Sequence, residues 1–104
     1  MAVLMTLRAS GDVQALERRA GENPAGMQAI VEKAKANGLI SHRFYGSDDG
    51  KMLVVDLWET REGFQAFFDG SPEIGEMMAE VGVTAPPEIS FWRELDTHDA
   101  YDRG

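Results

Sequence analysis

The chain has 104 residues, no cysteine and a formal net charge of −8. That length suits one domain able to bury roughly two-thirds of its unfolded surface. The missing cysteine excludes disulfides and thiol chemistry, and no apolar run approaches the roughly 18 residues that a bilayer span needs.

The charge is uneven. Residues 1–50 balance six acids with six bases, whereas residues 51–104 set twelve acids against Lys51, Arg61, Arg93 and Arg103. An acidic half of this kind repels phosphate backbones and anionic membranes, so neither nucleic acid nor membrane is an expected partner. Met1 to Arg8 is apolar but too short for a signal peptide and has no basic lead-in. The expected location is the cytoplasm.

Taken in chain order, Ala2 to Ala9 (AVLMTLRA) is a continuous apolar run closed by Ser10-Gly11-Asp12 and reads as a buried strand. Val13, Leu16 and Ala20 have helical spacing, enough for a short helical turn, before Gly21-Glu22-Asn23-Pro24 breaks it. Asn23 can cap a new helix with Pro24 at its first position. Met27, Ile30, Val31 and Ala34 form the apolar stripe of that helix, and Asn37-Gly38 stops it. Two strands follow around the turn Ser47-Asp48-Asp49-Gly50. Thr60 caps the next helix, whose face carries Phe64, Phe67 and Phe68. Gly70-Ser71-Pro72 interrupts and restarts it, and the second piece buries Ile74, Met77, Met78 and Val81. Glu88 to Leu95 is the last strand, giving one domain over residues 1–96 and an acidic tail over 97–104.

The order β-α-β-β-α-β predicts an α+β, ferredoxin-like fold: a four-stranded antiparallel sheet with its helices on one face. The other face then needs a ligand or a second protein to cover it. Pairing Gly46 with Lys51 sorts the hairpin side chains by alternation. Ile40, His42, Phe44, Leu53, Val55 and Leu57 are expected to meet the helices. Leu39, Ser41, Arg43, Tyr45, Met52, Val54, Asp56 and Trp58 are expected on the open face, where large apolar bodies with a few polar groups suit a small-molecule pocket.

The candidate site residues follow from that assignment. Trp58 could stack on a flat ligand. Arg43, with Asp56 diagonal to it, could hold a carboxylate or phenolate, and Tyr45 could donate to an oxyanion. His42 is the histidine that falls in a regular element and so is the natural general base, although the same pairing turns it toward the helices. Of Phe91 and Trp92, one faces the helices and the other the open side; the sequence leaves open which. No HExxH, Cys/His cluster or carboxylate–histidine set has metal spacing. No glycine-rich phosphate loop follows the first strand, and no Gly-x-Ser-x-Gly elbow appears. Neither a metal nor a cofactor is expected.

The run Gly38 to Tyr45, the turn, Leu53 to Thr60 with its Trp58-Glu59 junction, and the Ser71-Pro72 restart together resemble the antibiotic biosynthesis monooxygenase-like proteins. The resemblance implies a dimeric α+β barrel, in which two open sheet faces close on each other, and a pocket between sheet and helices or within the barrel. Some members oxygenate phenolic polyketides without a cofactor, and others degrade heme. The heme-degrading pattern needs an asparagine on the first strand and a histidine on the second helix, and this chain has neither. Many members also carry a histidine after the Trp-Glu pair, where Phe67 or Phe68 stands here.

Two functions are therefore in view. One is a homodimer that binds a small hydrophobic or aromatic ligand without catalysis. The other is a cofactor-independent monooxygenase acting on a small phenolic or quinol substrate, with His42 as base, Trp58 stacking, and Arg43 and Tyr45 holding the anion. An RNA-recognition domain shares the strand order, but it fails on charge and lacks the basic-aromatic strand motif.

Overall fold

Eight elements succeed one another along Ala2 to Arg103, the residues described by the computed structural model: β1 (Val3–Ser10), α1 (Val13–Glu22), α2 (Pro24–Lys35), β2 (Leu39–Gly46), β3 (Lys51–Trp58), α3 (Arg61–Asp69), α4 (Pro72–Glu80) and β4 (Glu88–Trp92). Met1, at the head of the expected domain, and Gly104, at the end of the expected tail, lie outside the described residues. The strands form one antiparallel sheet in the order β2-β3-β1-β4. With helical crossovers after β1 and β3, this is the ferredoxin-like βαββαβ topology.

Local chemistry sets the helix ends. Asp12 caps α1 by accepting from the Ala15 N–H at 3.0 Å, Asn23 caps α2 through the Gly26 N–H at 3.1 Å, and Thr60 caps α3 through the Gly63 N–H at 3.0 Å. Each satisfies one donor that the first helical turn leaves free. The short turn expected after Val13 is a full helix. Asn23 both ends α1 and starts α2, so the Gly-Glu-Asn-Pro sequence bends the chain between two helices instead of breaking the first. Ser71 makes no cap bond. Its buried hydroxyl donates to the Phe67 carbonyl at 2.6 Å and ties the end of α3 to the start of α4.

The β2–β3 turn differs from the expected pairing by one residue, with large consequences. Gly46 stands opposite Met52, not Lys51. The Gly50 N–H reaches the Ser47 carbonyl at 3.3 Å, the Ser47 N–H reaches the Lys51 carbonyl at 2.9 Å, and Gly50 has φ +83°. This is a three-residue loop closed by a glycine in the left-handed region, one residue shorter than the four-residue loop that the expected pairing requires. Because side chains alternate, the one-residue shift turns β3 over. Met52, Val54, Asp56 and Trp58 are buried toward the helices, and the half-buried Leu53, Val55 and Leu57 lie on the open face. The expected faces of all seven are thus corrected. On β2, His42 and Phe44 meet the helix side as expected, with Arg43 and Tyr45 outside. A second irregularity between Leu39 and Ser41 restores Leu39 opposite Trp58. It sends Leu39 into the core and leaves Ile40, expected inside, 52% exposed.

The core between sheet and helices joins Met5 and Leu7 of β1, Val54 and Trp58 of β3, Ala34 of α2, Phe64 and Phe67 of α3, and Met78 of α4. A second cluster of Leu16, Met52, Met77 and Val81 packs α1 and α4 against the hairpin end of the sheet. On β4, Phe91 faces this core, with its ring 5.6 Å from Phe64 and the Arg61 guanidinium 4.3 Å over its face. Trp92 is on the open side and 55% exposed. That resolves the pair the sequence left undecided. No helix of the described residues is long and apolar enough to cross a membrane.

Candidate functional site

A cavity of about 210 Å³ lies between the sheet and the helices. Its floor is Met5, Leu7, Leu39, His42, Phe44, Val54 and Asp56. Its walls come from α2 (Met27, Gln28, Ile30, Val31, Ala34), α3 (Phe64, Phe67, Phe68) and α4 (Ile74, Met77, Met78). Three lining residues are polar: Gln28, His42 and Asp56. Gln28 is exposed on α2, so the cavity reaches solvent on that side. No lysine or arginine lines it.

The polar corner is built by strand register. His42 and Asp56 are cross-strand partners on β2 and β3, and Trp58 follows Asp56 by two residues on the same face. The His42 Nδ1 to Asp56 Oδ1 distance is 2.6 Å, and the Trp58 indole N–H donates to Asp56 Oδ2 at 3.1 Å. A tryptophan N–H can only donate, and a carboxylate can only accept. Asp56 therefore takes one hydrogen bond on each oxygen, and its partner on the histidine is Nδ1–H. In the neutral imidazole this selects the Nδ1–H tautomer, with the lone pair on Nε2. Nε2 has no hydrogen-bond partner among the described residues. The ring is further held edge-on to Phe44 at 5.2 Å. Trp58 is itself fixed, 0% exposed, between Phe64 and Phe67, each 5.5 Å away.

This arrangement can do three things. Its walls give an apolar guest a largely apolar lining. Its free nitrogen accepts a hydrogen bond or a proton from that guest. Its carboxylate, buried and doubly bonded, steadies the ring if it takes on charge.

No protein-family model matches the chain, and no curated protein matches it. Solved structures do. The ActVA-Orf6 monooxygenase of Streptomyces coelicolor, solved with nanaomycin D, is 19% identical with a TM-score of 0.65, covering 92% of this chain and 89% of its own. A protein of Nitrosomonas europaea assigned by name to the antibiotic biosynthesis monooxygenases is 13% identical with a TM-score of 0.63, covering 92% of each chain. A dimeric ferredoxin-like protein from an uncultured marine organism is 15% identical with a TM-score of 0.61, covering 90% of each chain. The chain shares the fold of the antibiotic biosynthesis monooxygenase-like proteins. At these identities the likeness is one of fold.

The structure divides the candidate residues between the two sides of the sheet. His42 and Asp56 meet at the cavity, and Trp58 stands behind Asp56. Asp56 was expected beside Arg43 on the open face, and Trp58 was expected there too; the one-residue shift at the turn puts both under the helices. Arg43, Tyr45 and Trp92 occupy the open face, where the Trp92 indole N–H donates to Thr6 Oγ1 at 2.9 Å. Tyr45, 53% exposed, borders a wider recess of about 690 Å³ at the hairpin end, together with Arg8, Lys51 and Glu88. There Arg8 is already engaged by Glu88 at 2.6 Å. The sequence reading missed the cavity walls. Phe64, Phe67, Phe68, Met77 and Met78 announce an inward stripe, but a stripe does not reveal that the space it faces is incompletely filled. Among the described residues no group of three or more His, Cys, Asp or Glu side chains could hold a metal ion.

Proposed function

We propose that this protein binds a small hydrophobic or aromatic ligand in the cavity between its sheet and helices, with His42 as the polar anchor and Asp56 holding it in place. One observation carries the reading: an apolar chamber of about 210 Å³ has a single oriented imidazole at its sheet side. A dry apolar cavity of about 150 Å³ suffices for benzene, and drug-sized ligands use about 300 Å³ or more. The chamber therefore suits one ring with a substituent, and three fused rings would need the walls to move. The four methionines that line it, Met5, Met27, Met77 and Met78, supply adaptable walls and sulfur–aromatic contacts. Titration calorimetry with single-ring phenols tests this. Binding that Phe67→Trp abolishes by filling the chamber supports the reading, and binding untouched by that change refutes it.

A second reading has its own support: the free Nε2 on a carboxylate-oriented histidine, in a fold shared with a named monooxygenase. In this reading the protein is a cofactor-independent monooxygenase. His42 takes the proton of a phenol or quinol, and the resulting anion passes electrons to oxygen. Oxygen uptake with a panel of quinols is the assay. Turnover that survives His42→Ala rules out the proposed base.

The open face supports a homodimer. Leu53, Val55 and Leu57 with the exposed Trp92 form an apolar sheet surface, and a solved protein of the same fold is named as dimeric. A second copy laid on this face would make one barrel of residues 1–96 from each chain. It would bring Arg43, Tyr45 and Trp92 into a shared interior as partner or ligand contacts, leaving residues 97–104 as a tail. A cytoplasmic location goes with this reading.

A further inference from the structure

We infer that Asp56, fixed by Trp58, sets the hydrogen-bond polarity of the cavity, so that it selects neutral ligands that donate a hydrogen bond and rejects acceptors and anions. This rests on the cavity reading above and goes on to specify which chemical class of ligand it admits.

The Trp58 N–H claims Asp56 Oδ2, and Asp56 Oδ1 claims Nδ1–H of His42. In the neutral imidazole the proton is thus committed away from the free nitrogen, which presents a lone pair. A ligand hydroxyl or N–H completes the chain. A carbonyl or ether oxygen would instead meet lone pair against lone pair, at the cost of leaving a buried acceptor unpaired. Anions fare worse. Asp56 is already a buried negative charge, and no lysine or arginine lines the chamber to balance a second one. Arg43, the cation nearest in sequence, is on the opposite face of the sheet.

The same chain predicts a reversal. In Asp56→Asn the donor-only indole of Trp58 still requires an oxygen opposite it, so the amide must orient with its NH2 toward His42. Nδ1 then has to accept, and the imidazole proton moves to Nε2. An isosteric change thereby turns the anchor from acceptor to donor.

The test is calorimetric binding of three single-ring probes of matched heavy-atom count: 4-ethylphenol, acetophenone and benzoate. The expected wild-type order is 4-ethylphenol above acetophenone by about tenfold, the value of one net hydrogen bond, with no binding of benzoate. Asp56→Asn is expected to reverse the first two. Adding Trp58→Phe, which frees the amide to turn over, is expected to abolish the reversal. Wild-type preference for acetophenone, or benzoate binding equal to that of the phenol, overturns the inference while leaving a ligand cavity in place. Retained phenol preference in a folded Asp56→Asn protein overturns the role of Asp56. Should that variant fail to fold by circular dichroism, the wild-type order decides alone. Failure of all three probes removes the cavity reading, and this inference with it.

Discussion

The two tryptophans offer a matched test of how much the Asp56 network contributes to stability. Trp58 and Trp92 each donate one indole hydrogen bond, to Asp56 and to Thr6 respectively, but Trp58 is fully buried and Trp92 is 55% exposed. Trp58→Phe deletes the donor to a buried carboxylate, a loss worth about 1.5–3 kcal/mol. It also leaves a void where the larger ring packed on Phe64 and Phe67. Full truncation of such a residue costs about 3–5 kcal/mol, and losing part of the ring adds roughly 1 kcal/mol. The expected destabilisation is about 3 kcal/mol, a large fraction of the roughly 5–15 kcal/mol typical of a folded domain. In Trp92→Phe of the monomer, as on a Val55→Asp background, water replaces the lost partner of Thr6, so the cost should stay below about 1 kcal/mol. Urea unfolding followed by far-ultraviolet circular dichroism, at one protein concentration, measures both without relying on tryptophan emission. Equal losses in the two variants, or a Trp58→Phe protein within about 0.5 kcal/mol of wild type, would refute the claim that Asp56 is held by a buried donor.

Three further outcomes follow from other parts of the fold. A Cβ at Gly63 would overlap the Asn37 backbone carbonyl oxygen, whereas one at Gly75 would meet nothing within 4 Å. Gly63→Ala should therefore cost about 2 kcal/mol or more, and Gly75→Ala, inside α4, should stabilise by about 0.5–1 kcal/mol; thermal unfolding of the pair checks the opposite signs. Val55→Asp places a charge on the open face at no cost to the helix-side core. Light scattering should show the mass falling from that of a dimer to that of a monomer with the fold retained, and an unchanged mass would put the interface elsewhere. At the hairpin, the Ser47 hydroxyl beside Asp49 holds its carboxyl below the ordinary carboxylate range, with Lys51 adding a smaller pull in the same direction. A depressed folded-state value gives stability that is present above the unfolded value and is lost as pH falls through the folded one. The wild type should therefore exceed Asp49→Asn in urea midpoint at neutral pH, and the two should converge in acid; a gap that widens in acid contradicts the assignment.

Three of the four helices, α2, α3 and α4, were legible because their signals are local, whereas α1 was expected only as a short turn. Asn23-Pro24, Thr60 and Gly38 act through their own backbone neighbours, and each does in the fold what its chemistry dictates. Gly38, for instance, takes φ +100° where α2 must stop. The face of β3 was not legible, because it depends on how many residues the turn absorbs. Ser47-Asp48-Asp49-Gly50 is compatible with both a four-residue and a three-residue loop. Gly50 settles it by taking the left-handed conformation that closes the shorter loop and pairs Ser47 with Lys51. His42 escaped the error because it lies on β2, whose inward side is set by Phe44.

That one-residue shift changes the chemistry of the site as well as its address. In the unshifted register Asp56 would share the open face with Arg43, and the two would form an ion pair beside a dimer partner. In the observed register the guanidinium and the carboxylate are on opposite sides of the sheet. Asp56 loses a cation and gains an imidazole, and the buried chamber gains a carboxylate with no fixed positive charge to neutralise it. Burial of that carboxylate would be costly if it lacked partners. The N–H groups of Trp58 and His42 satisfy it, one on each oxygen. Hence Trp58, which occupies one oxygen of the buried acid, leaves the other to Nδ1–H of His42 and so bears on which nitrogen of the neutral ring carries the proton. In this protein the requirement that a buried charge be satisfied and the selectivity proposed for the ligand are met by the same two hydrogen bonds. A variant that disturbs one should therefore disturb the other.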